Sequence, residues 1–340
     1  MSTDIENRQF RLARRPSGLP EREDFDLTTE AVGPVGEGEV HVRIDYISLD
    51  PAMRGWMSSG KSYIEPVGIG EVMRAFTAGT VVESRHDDFA EGDHVTGLLG
   101  AQTHAVVSGD QLNKVDTSIV DLPVYIGALG MPGMTAYFGT LDVGEVSEGD
   151  VVLVSAASGA VGSLVGQIAK QQGASRVIGI AGGPEKCRYV VDELGFDAAI
   201  DYKAEEINDA VRRECPDGID MFFDNVGGEI LDAALANLRV HARVVICGAI
   251  SQYNVTGHVG DTGYAPKNYL SLLVNRARME GFIILDYIDR YHEAYPSMAE
   301  WIASGKLSHK EDIETGFDRF VEVLRMLYTG ENFGKLVLKV

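Results

Sequence analysis

The segment Ser155-Ala156-Ala157-Ser158-Gly159-Ala160-Val161-Gly162 decides the fold of this chain. An apolar run, residues 151–154, precedes it, and a helix-like segment, residues 163–170, follows it. This arrangement suits a dinucleotide pyrophosphate, because small residues let the backbone approach the phosphates while unpaired N–H groups of the helix N-terminus face them. Ala157 occupies the first glycine position of the G-x-G-x-x-G fingerprint, and Gly159 and Gly162 occupy the other two. The segment predicts a dinucleotide-binding turn, although an ordinary strand-to-helix turn can have the same pattern.

The next strand indicates which dinucleotide is bound. A second apolar run, residues 176–180, follows at the spacing of a βαβ unit. A carboxylate at its end would bind the ribose 2′-hydroxyl of NAD, but the chain continues Ala181-Gly182-Gly183-Pro184-Glu185-Lys186. No acid stands at the strand tip, the glycines leave room, and a cation follows. This pattern predicts NADPH as the cofactor; a solvated helix face is the alternative interpretation of Lys186.

The bulk composition excludes several classes of protein. The chain has 340 residues, enough for two domains, and a net charge of −21 from 51 acidic and 30 basic residues. Nucleic-acid binding is not expected, because phosphate contacts need clustered Lys and Arg. No apolar run reaches transmembrane length, and residues 1–30 do not resemble a signal peptide. We therefore expect a cytoplasmic protein without membrane contacts.

The sequence shows no set of metal ligands. Cys187, Cys215 and Cys247 are too scattered for a disulfide framework, and no pair of them has zinc-ligand spacing. The eight histidines form no H-E-x-x-H or H-x-x-E-H arrangement. We expect no bound metal.

Two patterns divide the chain. Up to about residue 125, short segments such as residues 39–49 and 78–83 predict a small all-β, barrel-like domain. From about residue 127 to 300, strand and helix patterns alternate, which predicts a doubly wound parallel sheet. Its predicted strands span residues 151–156, 176–181, 198–201, 219–225, 243–249 and 280–285. The alternating C-terminal run, residues 334–340, cannot form a domain alone, so we expect it to pair within the β domain.

Eight stretches, in order along nearly the whole chain, carry a family resemblance. They include SLDPAMRG at residues 48–55, GMPGMTAYFG at 130–139, FDNVGGE at 223–229, CGAISQYN at 247–254 and ENFGK at 331–335. On these residues the chain resembles the medium-chain dehydrogenase/reductase superfamily, and within it the zinc-independent, NADPH-dependent alkenal double-bond reductases. That branch includes the leukotriene B4 12-hydroxydehydrogenase/prostaglandin reductases and curcumin reductase.

The resemblance implies an α/β fold with two domains and a homodimer. A GroES-like β-barrel domain would span residues 1–126, completed by 301–340, and a Rossmann NADP-binding domain would span residues 127–300. The implied cofactor-binding residues are Gly159, Ala160, Val161 and Gly162 at the pyrophosphate, Lys186 and Tyr202 at the adenosine 2′-phosphate, Asn225 near the nicotinamide ribose, and Cys247, Gly248, Ala249, Ile250, Ser251, Tyr253, Phe282, Ile283, Ile284 and Asn332 at the nicotinamide end.

The reaction implied by the resemblance is reduction of a C=C bond conjugated to a carbonyl in a small enal or enone. Hydride passes to the β carbon, and negative charge develops on the carbonyl oxygen. Without zinc ligands, neutral O–H donors must stabilise that charge. Tyr253 is the first candidate and Tyr63, reaching from the β domain across the cleft, is the second. For both, a half-buried packing tyrosine is the alternative, with the second proton taken from solvent.

Two other functions stay open. One is a zinc-independent quinone oxidoreductase on the same fold, and the other is a non-catalytic, NADPH-binding, crystallin-like protein. Residues 285–287 read Leu-Asp-Tyr where the prostaglandin reductases carry Arg and Trp, and residues 100–104 lack a tryptophan that is common in that loop. Both stretches are expected near the substrate mouth. The identity of the substrate is therefore the part of the resemblance that transfers least.

Overall fold

The computed structural model describes residues 5–256 and 263–340 of the chain. These residues divide into two compact units. The first unit contains residues 5–127 and Glu311–Val340, and the second contains residues 128–255 and 263–310. No helix among the described residues is long and apolar enough to cross a membrane.

The strands, in chain order, are β1 (Glu6–Leu12), β2 (Phe25–Ala31), β3 (Glu39–Ser48), β4 (Thr77–Ser84), β5 (His94–Gly97), β6 (His104–Ser108), β7 (Leu112–Val115), β8 (Val151–Ser155), β9 (Arg176–Ala181), β10 (Ala198–Asp201), β11 (Ile219–Asp224), β12 (Leu238–Ile246), β13 (Arg278–Gly281), β14 (Glu311–Thr315) and β15 (Lys335–Lys339). The α-helices are α1 (Met53–Trp56), α2 (Met131–Phe138), α3 (Gly162–Gln171), α4 (Pro184–Asp192), α5 (Ile207–Glu214), α6 (Gly228–Ala236), α7 (Tyr253–Thr256), α8 (Leu270–Asn275), α9 (Tyr291–Ala303) and α10 (Phe320–Thr329).

The first unit is built on one long strand. Strand β3 pairs antiparallel with β4, with β6 along its first half, and with β15 at its end, where Val337 lies opposite Ser48. The C-terminal strand therefore returns to the β domain, as predicted. Strand β14 continues the sheet in parallel with β15, and β5 and β7 extend its other side. The aromatic rings of Phe10, Phe25 and Phe320 pack against one another in the core beneath it.

A buried ion pair joins the two chain segments that make up the first unit. The Lys335 ammonium donates to Asp50 Oδ1 at 2.9 Å and to the Leu49 carbonyl at 2.7 Å, and both charged side chains are at most 5% exposed. The Ser48 hydroxyl donates to the other Asp50 oxygen at 2.5 Å. Because both charges are removed from water, loss of either one would leave the other buried without a partner. The pair also links the start of β15 to the segment after β3.

The second unit is a doubly wound parallel sheet, which confirms the predicted fold class. Its strand order is β10-β9-β8-β11-β12-β13, and every neighbouring pair is parallel. Central side chains such as Leu153, Ile178 and Phe222 are fully buried. Helices cover both faces of such a sheet, so its strands are continuous apolar runs, and that is why the sequence reveals them.

Two predicted strands extend three or four residues too far. Strand β12 ends at Ile246 rather than 249, because the N–H groups of Cys247 and Gly248 both turn to the Asp224 carbonyl. Strand β13 ends at Gly281 rather than 285, and the chain enters a 3₁₀ helix, Ile284–Arg290. The apolar run at 282–285 continues the strand pattern in sequence but is used for packing outside the sheet.

Candidate functional site

The six parallel strands end at one edge of the sheet, which we call the carboxyl edge, and each end is followed by residues predicted to bind cofactor. In open α/β sheets, ligands bind outside the carboxyl ends of the strands. The residues are Gly159, Ala160, Val161 and Gly162 after β8, Lys186 after β9, Tyr202 after β10, Asn225 after β11, residues 247–253 after β12, and Phe282, Ile283 and Ile284 after β13. The topology thus gathers residues that are far apart in sequence.

The glycine turn after β8 has no room for side chains at its key position. A Cβ on Gly162 would lie 2.4 Å from the Ala156 carbonyl oxygen, whereas one on Gly159 would lie 3.2 Å from it. Ala157 replaces the first fingerprint glycine without a clash, because its methyl group faces Gly179 of β9, where a Cβ would lie only 2.6 Å away. The departure from the fingerprint is therefore accommodated by a glycine on the neighbouring strand.

The turn also presents three consecutive backbone N–H groups. Among the described residues, the backbone N–H groups of Ala160, Val161 and Gly162 donate to no protein acceptor. They lie at the start of α3, a ten-residue helix whose N-terminus carries a partial positive charge. Three consecutive N–H groups at such a position fit an anionic diphosphate.

The tips of β9 and β10 form a second part of the edge. A Cβ on Gly182 would lie 2.8 Å from the Tyr202 ring and 3.0 Å from the Lys203 side chain. The Asp201 carboxylate accepts the N–H groups of Gly183 at 2.8 Å and Lys203 at 3.0 Å. The half-buried Lys186 lies in the first turns of α4. The lysine ammonium groups and the Tyr202 phenol can donate to a phosphate ester, and the Asp201 carboxylate is held by the two backbone donors.

Sequence reasoning missed Lys203, although its position directly after Tyr202 was an available signal. It also did not identify Ser155 as a partner of Asp224. The Ser155 hydroxyl donates to Asp224 Oδ1 at 2.9 Å and accepts the Asn225 N–H at 2.8 Å. The Asn225 side-chain amide in turn donates to the Ser155 carbonyl at 2.8 Å. The ends of β8 and β11 are thereby joined.

Asp224 is a fully buried carboxylate. Burial raises its pKa to about 6, although hydrogen bonds from the Gly227 and Val226 N–H groups and from Ser155 oppose that rise. Burial, with a smaller contribution from Asp224, raises the pKa of the Cys247 thiol to about 12. Because the reactive form of cysteine is the thiolate, Cys247 is not an active nucleophile at neutral pH.

Tyr253 begins α7, and its phenol oxygen accepts the Ala249 N–H at 3.2 Å. A Cβ on Gly248 would lie 3.0 Å from that oxygen, so the glycine allows the phenol to approach the backbone. Two of the predicted residues of this loop, Gly248 and Ala249, therefore lie against the tyrosine hydroxyl.

Aromatic packing fixes the segment after β13. The Phe282 ring contacts Phe223 edge-on at 6.4 Å and occupies the space beside Gly139, where a Cβ would lie 2.6 Å from it. Tyr287, one of the departures from the prostaglandin reductase pattern, packs on Phe138 with ring centroids 4.9 Å apart. The Arg290 guanidinium lies 5.5 Å from the Tyr287 ring centroid.

Comparison with known proteins agrees with this architecture. A family model described as the N-terminal domain of oxidoreductases matches residues 8–115, and one described as zinc-binding dehydrogenase matches residues 160–304. An NADPH-dependent curcumin reductase of Escherichia coli is 43% identical over 98% of this chain and 97% of its own. A 2-alkenal reductase of Nicotiana tabacum is 38% identical over 100% of this chain and 99% of its own.

The crystal structure of CurA from Vibrio vulnificus in complex with NADPH has a TM-score of 0.92 and 43% identity, and covers 98% of this chain and 99% of its own. The chain belongs to the medium-chain dehydrogenase/reductase superfamily, in the branch of NADP-dependent double-bond reductases. One model's description mentions zinc. In the part of this reductase that the structure describes, however, no three His, Cys, Asp or Glu residues are grouped as metal ligands.

Two of the predicted site residues belong to the first unit of the reductase. Tyr63 is 43% exposed, and its phenol oxygen accepts the Trp56 indole N–H at 3.2 Å. Asn332 lies three residues before the start of β15, and its side-chain amide donates to the Gly334 carbonyl at 3.1 Å. The roles of both residues stay predictions.

Proposed function

We propose that this reductase uses NADPH to reduce the C=C bond of α,β-unsaturated aldehydes and ketones, with hydride delivered to the β carbon. The observation that carries the proposal is the carboxyl edge itself, where the N–H groups of residues 160–162 meet no acceptor among the described residues, phosphate-compatible side chains lie at the next strand ends, and a phenol is held after β12. Relatives named as a curcumin reductase and a 2-alkenal reductase support the substrate class.

When bound, NADPH supplies the hydride. The N–H groups of residues 160–162 would bind its pyrophosphate, and Lys186 and Tyr202 would bind the 2′-phosphate. The lack of a carboxylate at the end of β9 favours the phosphorylated cofactor, because an acid there would repel the phosphate. Asn225, Asn332 and the loops after β12 and β13 would orient the nicotinamide end.

Tyr253 would stabilise the enolate. Its oxygen accepts a hydrogen bond from the Ala249 N–H, and such a bond strengthens the phenol as a donor. A fixed O–H donor directed at the developing oxyanion lowers the barrier without needing a metal. Tyr63 would be a second donor, with its oxygen similarly polarised by Trp56.

The test is NADPH consumption at 340 nm with a 2-alkenal, an aryl enone, a quinone and a simple ketone. We expect turnover of the first two substrates. Tyr253→Phe should lower kcat about 100-fold, the effect of removing one oxyanion donor, while Tyr46→Phe in the β domain should not. Turnover of the quinone alone, or tight NADPH binding with no turnover, would replace the proposal with one of the alternatives.

We also propose that the reductase is a homodimer, joined beside β13. This strand ends the sheet and is exposed along its length. Next to it in sequence, α8 exposes Leu273 at 76% and Val274 at 69%. Unpaired strand edges and exposed apolar groups are usually covered by another chain. Light scattering should give a mass of two chains, and Leu273→Glu should shift it toward one; a monomeric wild-type protein would contradict the proposal.

A further inference from the structure

The Asp224 carboxylate organises the turn that follows β11. Its Oδ1 accepts the Ser155 hydroxyl at 2.9 Å and the N–H groups of Val226 at 2.9 Å and Gly227 at 3.0 Å, and its Oδ2 accepts the Gly227 N–H at 3.1 Å. Gly227 has a φ of +71°, a conformation that favours glycine. The backbone after Asp224 is therefore wrapped around its own side chain.

This turn holds the loop that carries Tyr253. The Asn225 carbonyl accepts the Ile250 N–H at 3.2 Å, and the Val226 carbonyl accepts the Ser251 N–H at 3.2 Å and the Ser251 hydroxyl at 2.6 Å. The Asp224 carbonyl accepts the N–H groups of residues 247 and 248 at 2.9 and 3.1 Å. The next residue, Ala249, donates to the Tyr253 phenol. Hydrogen bonds and the short backbone segments between them thus connect the carboxylate to the phenol.

We infer that Asp224 is a positioning residue: its carboxylate holds the turn at 225–227, which holds the loop at 247–251, which in turn fixes the Tyr253 phenol. The inference rests on the proposed role of Tyr253 in enone reduction. It assigns Asp224 no contact with substrate, because its carboxylate is fully buried and already surrounded by donors.

The positioning depends on the charge of Asp224. An ionised carboxylate accepts hydrogen bonds from all the surrounding donors. The protonated acid has an O–H group, and a donor among donors cannot keep all of these hydrogen bonds. Burial raises the pKa of Asp224 to about 6, so it is ionised at pH 7.5 and mostly protonated at pH 5. Among the described residues packed against it, β8 presents the uncharged Ser155, the turn presents backbone N–H groups, and the segment after β12 presents the Cys247 thiol, which stays protonated.

The variant Asp224→Asn keeps the shape of the side chain and removes its charge. With saturating NADPH and enone, wild-type kcat should fall about tenfold between pH 7.5 and pH 5, following the ionised fraction of a group titrating near 6. Asp224→Asn should have a kcat at pH 7.5 about tenfold below wild type and nearly constant down to pH 5. Asp220→Asn is the matched control, because Asp220 lies on the same strand but binds the Val151 N–H at the strand's opposite end.

Hydrogen exchange supplies a readout besides activity. In Asp224→Asn, the amides of residues 247–251 should exchange about tenfold faster than in wild type, while those of residues 164–169 in α3 should not change. Ser155→Ala removes a hydrogen-bond donor that lowers the pKa of Asp224, so the acid limb of the kcat profile should move to higher pH. This variant replaces Asp224→Asn in the test if Asp224→Asn does not fold.

The inference is overturned if Asp224→Asn retains the acid limb or leaves exchange at 247–251 unchanged. A wild-type protein that reduces no enone contradicts the proposed function instead, and the exchange measurement still decides whether Asp224 holds the loop. A purely structural role of Asp224 predicts a third outcome. It predicts that kcat and NADPH affinity fall together with the folded fraction, and that the pH profile keeps its shape.

Discussion

Replacement of Gly162 by alanine tests the glycine turn directly. The new Cβ would lie 2.4 Å from the Ala156 carbonyl oxygen, whereas a comfortable C···O contact is about 3.3 Å, so the helix start must move by roughly 0.9 Å. Such overpacking costs about 1–3 kcal/mol, and the better helix propensity of alanine offsets about 1 kcal/mol of that. We expect the free energy of unfolding of Gly162→Ala, measured in urea, to be about 1 kcal/mol lower than that of wild type.

The effect on NADPH binding should be larger than the effect on stability. The shift misaligns the N–H groups of residues 160–162, and hydrogen bonds to charged groups contribute about 1.5–3 kcal/mol each, so the Kd should rise about 10- to 100-fold. The assay is titration of NADPH fluorescence. Gly159→Ala, with its Cβ 3.2 Å from the same oxygen, should have a smaller effect, and Gly33→Ala, with open space around it, should have none. A folded Gly162→Ala protein that binds NADPH as tightly as wild type would refute the reasoning.

Two further variants test the phosphate site and the buried ion pair. Lys186→Ala should weaken NADPH binding about 10- to 100-fold and leave NADH binding unchanged, because only NADPH carries the 2′-phosphate; equal losses in a titration of both cofactors would contradict this role. Asp50→Asn should lower the free energy of unfolding by about 3 kcal/mol or more, because it leaves the Lys335 ammonium buried without its carboxylate. Asp93→Asn, which breaks a more exposed pair, should cost less than about 1 kcal/mol in the same urea titration, and equal costs would contradict the comparison.

The parallel sheet could be predicted because its strands are buried on both faces. Residues 176–181 and 198–201 match β9 and β10, and residues 151–156 and 219–225 exceed β8 and β11 by one residue each. Four of the six strand ends could therefore be predicted to within one residue, and with them most of the carboxyl edge where the cofactor residues lie, whereas the ends of β12 and β13 were predicted too late. The half-exposed strands of the first unit were harder, because a strand such as β1 mixes polar and apolar residues without strict alternation.

Contacts made through topology could not be predicted. The run Phe282-Ile283-Ile284 reads as strand, but Phe282 fills the space beside Gly139, which is remote in sequence. Asp224 looks like a turn cap until the sheet order places β8 beside β11 and brings Ser155 to its side chain. Lys203 could be assigned to the phosphate site only from the structure, in which Gly182 leaves room for its side chain. These details depend on neighbours that periodicity does not identify.

The reaction proposed for this reductase is delivery of hydride from NADPH to the β carbon of an enone. The most direct measurement uses NADPH deuterated at the transferred position of C4 with a 2-alkenal, followed by mass spectrometry and NMR of the product. We predict the saturated aldehyde with one deuterium at the β carbon. An allylic alcohol with deuterium at the carbonyl carbon, or unchanged alkenal in the presence of bound cofactor, would contradict the claim.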